Sequence, residues 1–131
     1  MSQENVERTY RAMDAVNRRD LDTLLALADD DVEAVPAAVA VDGGYQGHEG
    51  MRRWWKNWLD VFPDWSIEVV EVRDLGDLTV ATLGFRAHGA GSDIPLDQTM
   101  WQVVRWERGK YVWWRSFDTR AEALKAVGLS E

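Results

Sequence analysis

The sequence predicts an α+β domain: a strongly curved antiparallel sheet, cone-shaped, wrapped around N-terminal helices and followed by a short C-terminal helix. Three observations carry this expectation. Three stretches with helical spacing of apolar residues gather in the first half of the chain, and long alternating strands fill the second. Short turns join those strands, and hairpin connections between sequential strands build an antiparallel sheet. Helices that precede such a sheet have one of its faces to cover, which is an α+β layer arrangement.

Residues 3–18 place Val6, Tyr10, Met13 and Val16 at helical spacing with charges between them. Arg18 and Arg19 suit the end of that helix, where cations meet the negative end of its dipole. Asp20 is then positioned to cap a short second helix carrying Leu21, Leu24, Leu25 and Leu27, with Asp29-Asp30-Asp31 expected to end it. Val32-Glu33-Ala34-Val35 reads as a strand stopped by Pro36, and the turn Asp42-Gly43-Gly44 leads to a returning strand at Tyr45. A third helix over 48–61 sets Met51, Trp54, Trp55, Trp58, Leu59 and Phe62 on one wide apolar face. Strands are expected over 65–74, 78–88, 96–107 and 110–117, with Gly89-Ala90-Gly91-Ser92-Asp93 joining the second to the third. Thr119 with Glu122 forms a capping box for a final helix over 119–127, which Gly128 ends.

Composition narrows the function classes. The 131 residues fit one domain with no dividing linker. There is no cysteine, so disulfides and thiolate-held metals are excluded. A net charge of −8 argues against a nucleic-acid partner, which rewards a basic stripe. No apolar run reaches the length of a membrane span, and the polar, acidic start Met1-Ser2-Gln3-Glu4-Asn5 lacks the apolar stretch of a signal peptide, so a cytoplasmic protein is expected. His48-Glu49 opens like a zinc-protease helix, but Arg52 stands where its second histidine belongs, and no metal or cofactor is expected. The eight tryptophans are the unusual feature, since rings that bury so much area favour a core or a ligand pocket.

The chain resembles the nuclear transport factor 2-like superfamily, whose fold is cystatin-like, and in particular its SnoaL-like members. The resemblance rests on Asn17-Arg18-Arg19-Asp20-Leu21-Asp22, Asp31-Val32-Glu33, Tyr45-Gln46-Gly47-His48-Glu49-Gly50, Arg108-Gly109-Lys110 and the ending Phe117-Asp118-Thr119-Arg120-Ala121-Glu122-Ala123-Leu124. It spans nearly the whole chain and implies a single SnoaL-like domain over 1–131, a cone open to a small apolar ligand, and a homodimer. The scaffold hosts isomerases, cyclases, hydrolases and non-catalytic binders, so it implies no one reaction. The ketosteroid isomerases that the chain resembles carry a carboxylate before the proline closing the first strand, where this sequence has Val35. Their oxyanion tyrosine falls on Ala12, leaving Tyr10 to pack. The acid of SnoaL-type cyclases falls on Gln102, which can donate a hydrogen bond but cannot move a proton. The second aspartate of limonene epoxide hydrolases falls on Arg115.

Strand alternation, started from an inward Phe117 as in the isomerases, sets Arg115, Trp113 and Tyr111 on the inner face and Val112, Trp114 and Ser116 outside. Registry across Arg108-Gly109 then puts Trp106, Val104, Gln102, Met100 and Gln98 inside, and the strand over 78–88 contributes Ala81, Leu83, Phe85 and Ala87. The expected pocket is lined by Trp54, Trp55, Trp58, Gln102, Trp106, Trp113, Arg115 and Phe117, with Arg115 meeting a ligand oxygen and Gln102 fixing orientation. The structural alternative pairs Arg115 with Glu33 or Asp118 and leaves the tryptophans as core. The first functional reading is a binder of a small apolar or aromatic molecule without turnover. The second is a cofactor-independent isomerase, cyclase or hydrolase acting on a polyketide-, steroid- or terpenoid-like molecule, with Asp31 or Glu33 moving protons. The third is a protein-interaction domain using the outer sheet face. A homodimer through that face, covering Trp101, Val103, Val112 and Trp114, is also expected.

Overall fold

The computed structural model describes residues 2–36, 44–88 and 95–129. Asp42-Gly43 of the first predicted turn and the connection 89–93 lie outside them. The elements run α1 (Ser2–Asn17), α2 (Leu21–Ala26), β1 (Ala28–Val35), β2 (Tyr45–Gln46), α3 (Gly47–Val61), β3 (Ser66–Asp74), β4 (Leu78–His88), β5 (Pro95–Glu107), β6 (Lys110–Phe117) and α4 (Arg120–Ala126). They form the expected α+β arrangement, with a six-stranded sheet in the order β2-β1-β6-β5-β4-β3. Four of the five strand pairings are antiparallel, each between strands consecutive in the chain, but β1 lies parallel to β6, joining the first strand to the last.

The Asp29-Asp30-Asp31 run belongs to β1 and does not end a helix: α2 stops at Ala26. Ala28 pairs with Tyr111 while Glu33 pairs with Trp113, so the acidic residues arc out of register between them. Asp29 Oδ2 accepts the backbone N–H of Asp31 at 3.0 Å, a side-chain turn that lets the charges face water while Ala28 and Val32 stay buried.

A second irregularity decides which side chains enter the cone. Trp106 pairs with Tyr111 but Arg105 pairs with Trp113, so Val112 is one extra residue in β6. Such a bulge reverses the alternation beyond it. Tyr111 faces inward before it; after it Trp114 faces inward, while Trp113 and Phe117 join the cluster on the outer face with Val80, Val103 and Ala123. The inward placement expected for Trp113, Arg115 and Phe117, and the outward one for Trp114 and Ser116, are therefore corrected. Strand β4 behaves as expected, with Ala81, Leu83, Phe85 and Ala87 buried in the main core. Gln98, opposite Phe85, is exposed.

The segment 17–22 ties the helices to the sheet. Asn17 donates to Ile67 O at 2.7 Å and accepts from Ile67 N at 2.8 Å, docking the end of α1 on β3. Arg19 sits at positive φ (61°) and closes α1, its backbone N–H reaching Val16 O and that of Asp20 reaching Ala15 O. Its guanidinium donates to Val16 O, Pro63 O and Trp65 O, fastening α1 to the α3–β3 connection. Asp20 caps α2 through Thr23, whose hydroxyl and backbone N–H hold the carboxyl below its usual range. At the far end of β4, Asp64 accepts the backbone N–H of His88 (2.9 Å) and its Nδ1–H (2.8 Å), and these bonds likewise depress the Asp64 carboxyl.

A carboxyl whose folded pKa is depressed contributes stability above its unfolded value, about 4, and that contribution is lost as pH falls through the folded one. Asp64→Asn is expected to lower Tm at neutral pH and to flatten the acid side of the Tm–pH curve below about pH 4. Melting scans across that range check it: parallel curves for the two proteins would show that Asp64 contributes nothing through its charge.

Candidate functional site

The concave face is filled from five directions at the spacings each element imposes. Helix α1 supplies Thr9, Ala12, Met13 and Val16, one stripe at helical spacing. Helix α3 supplies Met51, Trp54 and Trp58 from its apolar face. Strand β5 supplies Met100, Gln102, Val104 and Trp106 at a period of two, and β6, after its bulge, Trp114 and Ser116. Trp65, just before β3, stands at the centre of the rings. It stacks on Trp58 at 5.5 Å and meets Trp54, Trp55 and Phe85 edge-on or tilted at 5.7–6.2 Å. Trp54 meets Trp114 edge-on at 5.1 Å.

Two small cavities remain among these side chains. The inner one, about 30 Å3, lies against Leu24, Val104, Trp106 and Tyr111. The outer one, about 40 Å3, lies against Pro36, Trp58, Met100 and Ser116. Met13, Val16, Trp54, Gln102 and Trp114 wall both, so the two are adjoining lobes of one interior. Solvent reaches the outer lobe, where Met100, Gln102 and Ser116 are only half-buried. No carboxylate, imidazole, lysine or arginine among the described residues lines either lobe.

Most polar atoms here are already satisfied. Tyr111 donates its O–H to Leu24 O at 3.0 Å, and burial pushes its phenol far above the ordinary value, so it is a neutral donor. Trp106 Nε1–H donates to Thr79 Oγ1 at 3.0 Å, and Trp114 Nε1–H points at Met51 Sδ at 3.4 Å. Others are left over among the described residues: Trp54 Nε1–H and Trp65 Nε1–H are buried with no partner, and the half-buried Gln102 amide and Ser116 hydroxyl have none.

Of the expected pocket residues, the structure brings Trp54, Trp58, Gln102 and Trp106 to the lobes. Trp55 is buried behind them against Trp54 and Trp65. Trp113, Arg115 and Phe117 are on the other side of the sheet, with the exposed Arg115 guanidinium 5.0 Å over the Trp113 ring. Arg115 makes no ion pair with Glu33 or Asp118 among the described residues. Asp31 and Glu33 are exposed. Trp65, Trp114, Met13, Met51, Met100 and Ser116 were absent from the expected lining. The apolar stripe of α1 already signalled Met13, and that of α3 Met51. Only the bulge reveals Trp114 and Ser116.

Outside the cone, an open polar cleft of about 760 Å3 lies between the start of α1 and the β3–β4 and β5–β6 turns, with Arg8, Asp77, Glu107 and Arg108 on its walls. His48 Nε2 approaches Ala28 O at 3.1 Å and His88 is held by Asp64, so each histidine has its own local partner. Among the described residues no three histidines or acids gather as a metal-holding group, and no helix is long and apolar enough to cross a membrane.

A SnoaL-like domain model matches residues 6–114. Among solved structures, a nuclear transport factor 2-like protein of unknown function from Burkholderia pseudomallei superposes with a TM-score of 0.80 at 19% identity, over 95% of this chain and 98% of that one. A protein with a ketosteroid isomerase-like fold from Catenulispora acidiphila, in complex with trimethylamine, gives 0.72 at 17% identity over 89% and 88%. TerC co-crystallised with polyporic acid gives 0.77 at 16% over 93% and 96%. At these identities the likeness establishes the fold. No curated protein matches the sequence.

The two faces of β6 differ in their expected energetics. Trp114→Ala should cost about 3–5 kcal/mol, as a large ring leaving a packed core, and Trp113→Ala only about 1 kcal/mol. Urea denaturation of both variants measures the difference; equal losses would contradict the assigned bulge.

Proposed function

The chain belongs to the SnoaL-like domain family, and on that premise we propose that it binds a small apolar or aromatic molecule in the interior of its cone, without the carboxylate chemistry that other users of this scaffold employ. The observation that carries this reading is the two-lobed interior itself, walled by apolar side chains and indole rings and free of ionisable groups among its described lining. Relatives of the same fold hold trimethylamine and polyporic acid, which supports a small-molecule ligand here.

At about 30 and 40 Å3 the lobes accommodate little more than water, whereas drug-sized ligands occupy roughly 300–1,000 Å3. A ligand therefore enters by displacing walls. Met13, Met51 and Met100 line the lobes, and the unbranched thioether is the side chain best able to re-pack around a guest. The half-buried Trp58, stacked on Phe62 at 5.2 Å, borders the outer lobe and can shift with them. Binding on this account changes the environment of several rings at once.

The test is a thermal-shift and intrinsic-fluorescence screen against small aromatic acids, terpenoids, steroids and polyketide-like aromatics. The expected hit raises Tm, quenches tryptophan emission, survives Arg115→Ala and is lost in Ser116→Trp, which fills the outer lobe. Silence across all classes, or loss of binding in Arg115→Ala alone, would overturn the reading.

The homodimer is proposed with it. The half-buried Trp101, Trp113 and Phe117 beside α4 support an outer-face interface, in which Trp114 takes no part. Light scattering at micromolar concentration should give twice the chain mass, and a monomer would end that proposal.

A further inference from the structure

We propose that the interior selects a neutral ligand carrying one hydrogen-bond acceptor, a carbonyl or ether oxygen, received at the junction of the lobes by Trp54 Nε1–H and the Gln102 amide. This rests on the binding reading above and specifies the chemistry of its guest.

Trp54 is 93% buried by its 7% exposure, and its indole N–H has no partner, although each such group left unmet destabilises the fold. Trp106, Trp114 and Tyr111 in the same interior all have acceptors; the Trp65 indole N–H is also unmet, but Trp65 lines the outer lobe alone, whereas Trp54 lines both. Gln102 is the one amide on the inner lining, and its side chain likewise lacks a protein partner among the described residues. Both residues wall both lobes, so a guest that opens either lobe meets these two side chains.

The chemistry of the pair sets the chemistry of the ligand. Indole N–H only donates, and the glutamine amide can turn its NH2 toward the same atom, so the group they share is an acceptor. Among the described residues no cationic side chain lines the lobes to neutralise a carboxylate, and no acid to neutralise an amine, so an ion would be desolvated without compensation. In the empty protein Trp54 Nε1 is closed to water, so this donor is unmet until the walls move. An apolar ligand with a suitably placed oxygen supplies the missing acceptor as it enters. A pure hydrocarbon leaves the donor unmet.

The test uses three matched probes, cyclopentanone, methylenecyclopentane and cyclopentanecarboxylate, titrated into 15N-labelled protein while the indole N–H resonances are followed. The Trp54 signal is identified by its absence in Trp54→Phe, which keeps a ring in place. The ketone should bind about tenfold tighter than its hydrocarbon isostere. It should shift the Trp54 indole proton downfield, and the carboxylate should not compete. Trp54→Phe and Gln102→Leu should each erode that preference while still binding the hydrocarbon; if one variant fails to fold, the other gives the same readout. Equal binding of ketone and hydrocarbon, preference for the carboxylate, or a preference unchanged in the variants would overturn the inference while leaving the pocket intact. No response to any of the three would remove the binding reading together with it.

Discussion

The rest of the molecule depends on covering the concave face of a strongly curved sheet with the rings of one helix. Trp54, Trp55 and Trp58 of α3 lie against Trp65, Phe85 and Trp114, with ring centroids 5.1–6.2 Å apart in mostly edge-on or tilted arrangements. Aromatic side chains bury about 150–250 Å2 each, and such pairs add about 0.5–1.5 kcal/mol beyond their area. A curved sheet has to be filled by something large and rigid, and tryptophan serves that end with few rotamers to freeze. The same filling leaves the interior almost closed. Its small residual lobes are gaps between plates that do not tile, and its methionines are the places where the wall can yield.

The second constraint is anchorage. The segment Asn17–Asp20 could be taken for a functional signature, yet each of its members has a structural partner. Asn17 completes the edge of β3, Arg18 pairs with Asp14 at 2.8 Å, Arg19 binds the α3–β3 connection, and Asp20 caps α2. Arg19 does so from a left-handed backbone conformation that glycine would adopt more easily, retained because its guanidinium closes three carbonyls. These bonds fix the tilt of α1 over the sheet, and so the position of Met13 and Val16 at the junction of the lobes.

The fold was legible because its signals are periodic and local. Helical stripes, turn glycines and the Thr119–Glu122 capping box place the helices and the long strands within a residue or two. What stayed illegible in the site has a single physical source. A bulge adds one residue without changing composition or local pattern, and Val112 looks like any strand valine, yet it carries Trp114 into the core and Arg115 out of it. Gln102 and Trp106 are placed correctly even by an alternation started from an inward Phe117, because that wrong start and the overlooked bulge cancel at Tyr111 and β5 is regular beyond the turn. The acidic run in β1 misled in a related way: three adjacent charges resemble a helix end, and only the pairing of Ala28 with Tyr111 shows a strand interrupted by a turn.

The central claim is that the interior between Trp54, Gln102 and Trp114 is a site that can open, and not merely imperfect packing. Crystals of the protein held under xenon pressure test it most directly, since xenon enters apolar cavities without needing any specific ligand. Xenon is expected in the outer lobe and then the inner, with Met13 and Met100 changing rotamer to admit it. An interior that excludes xenon while the gas occupies other surfaces of the same molecule would contradict it.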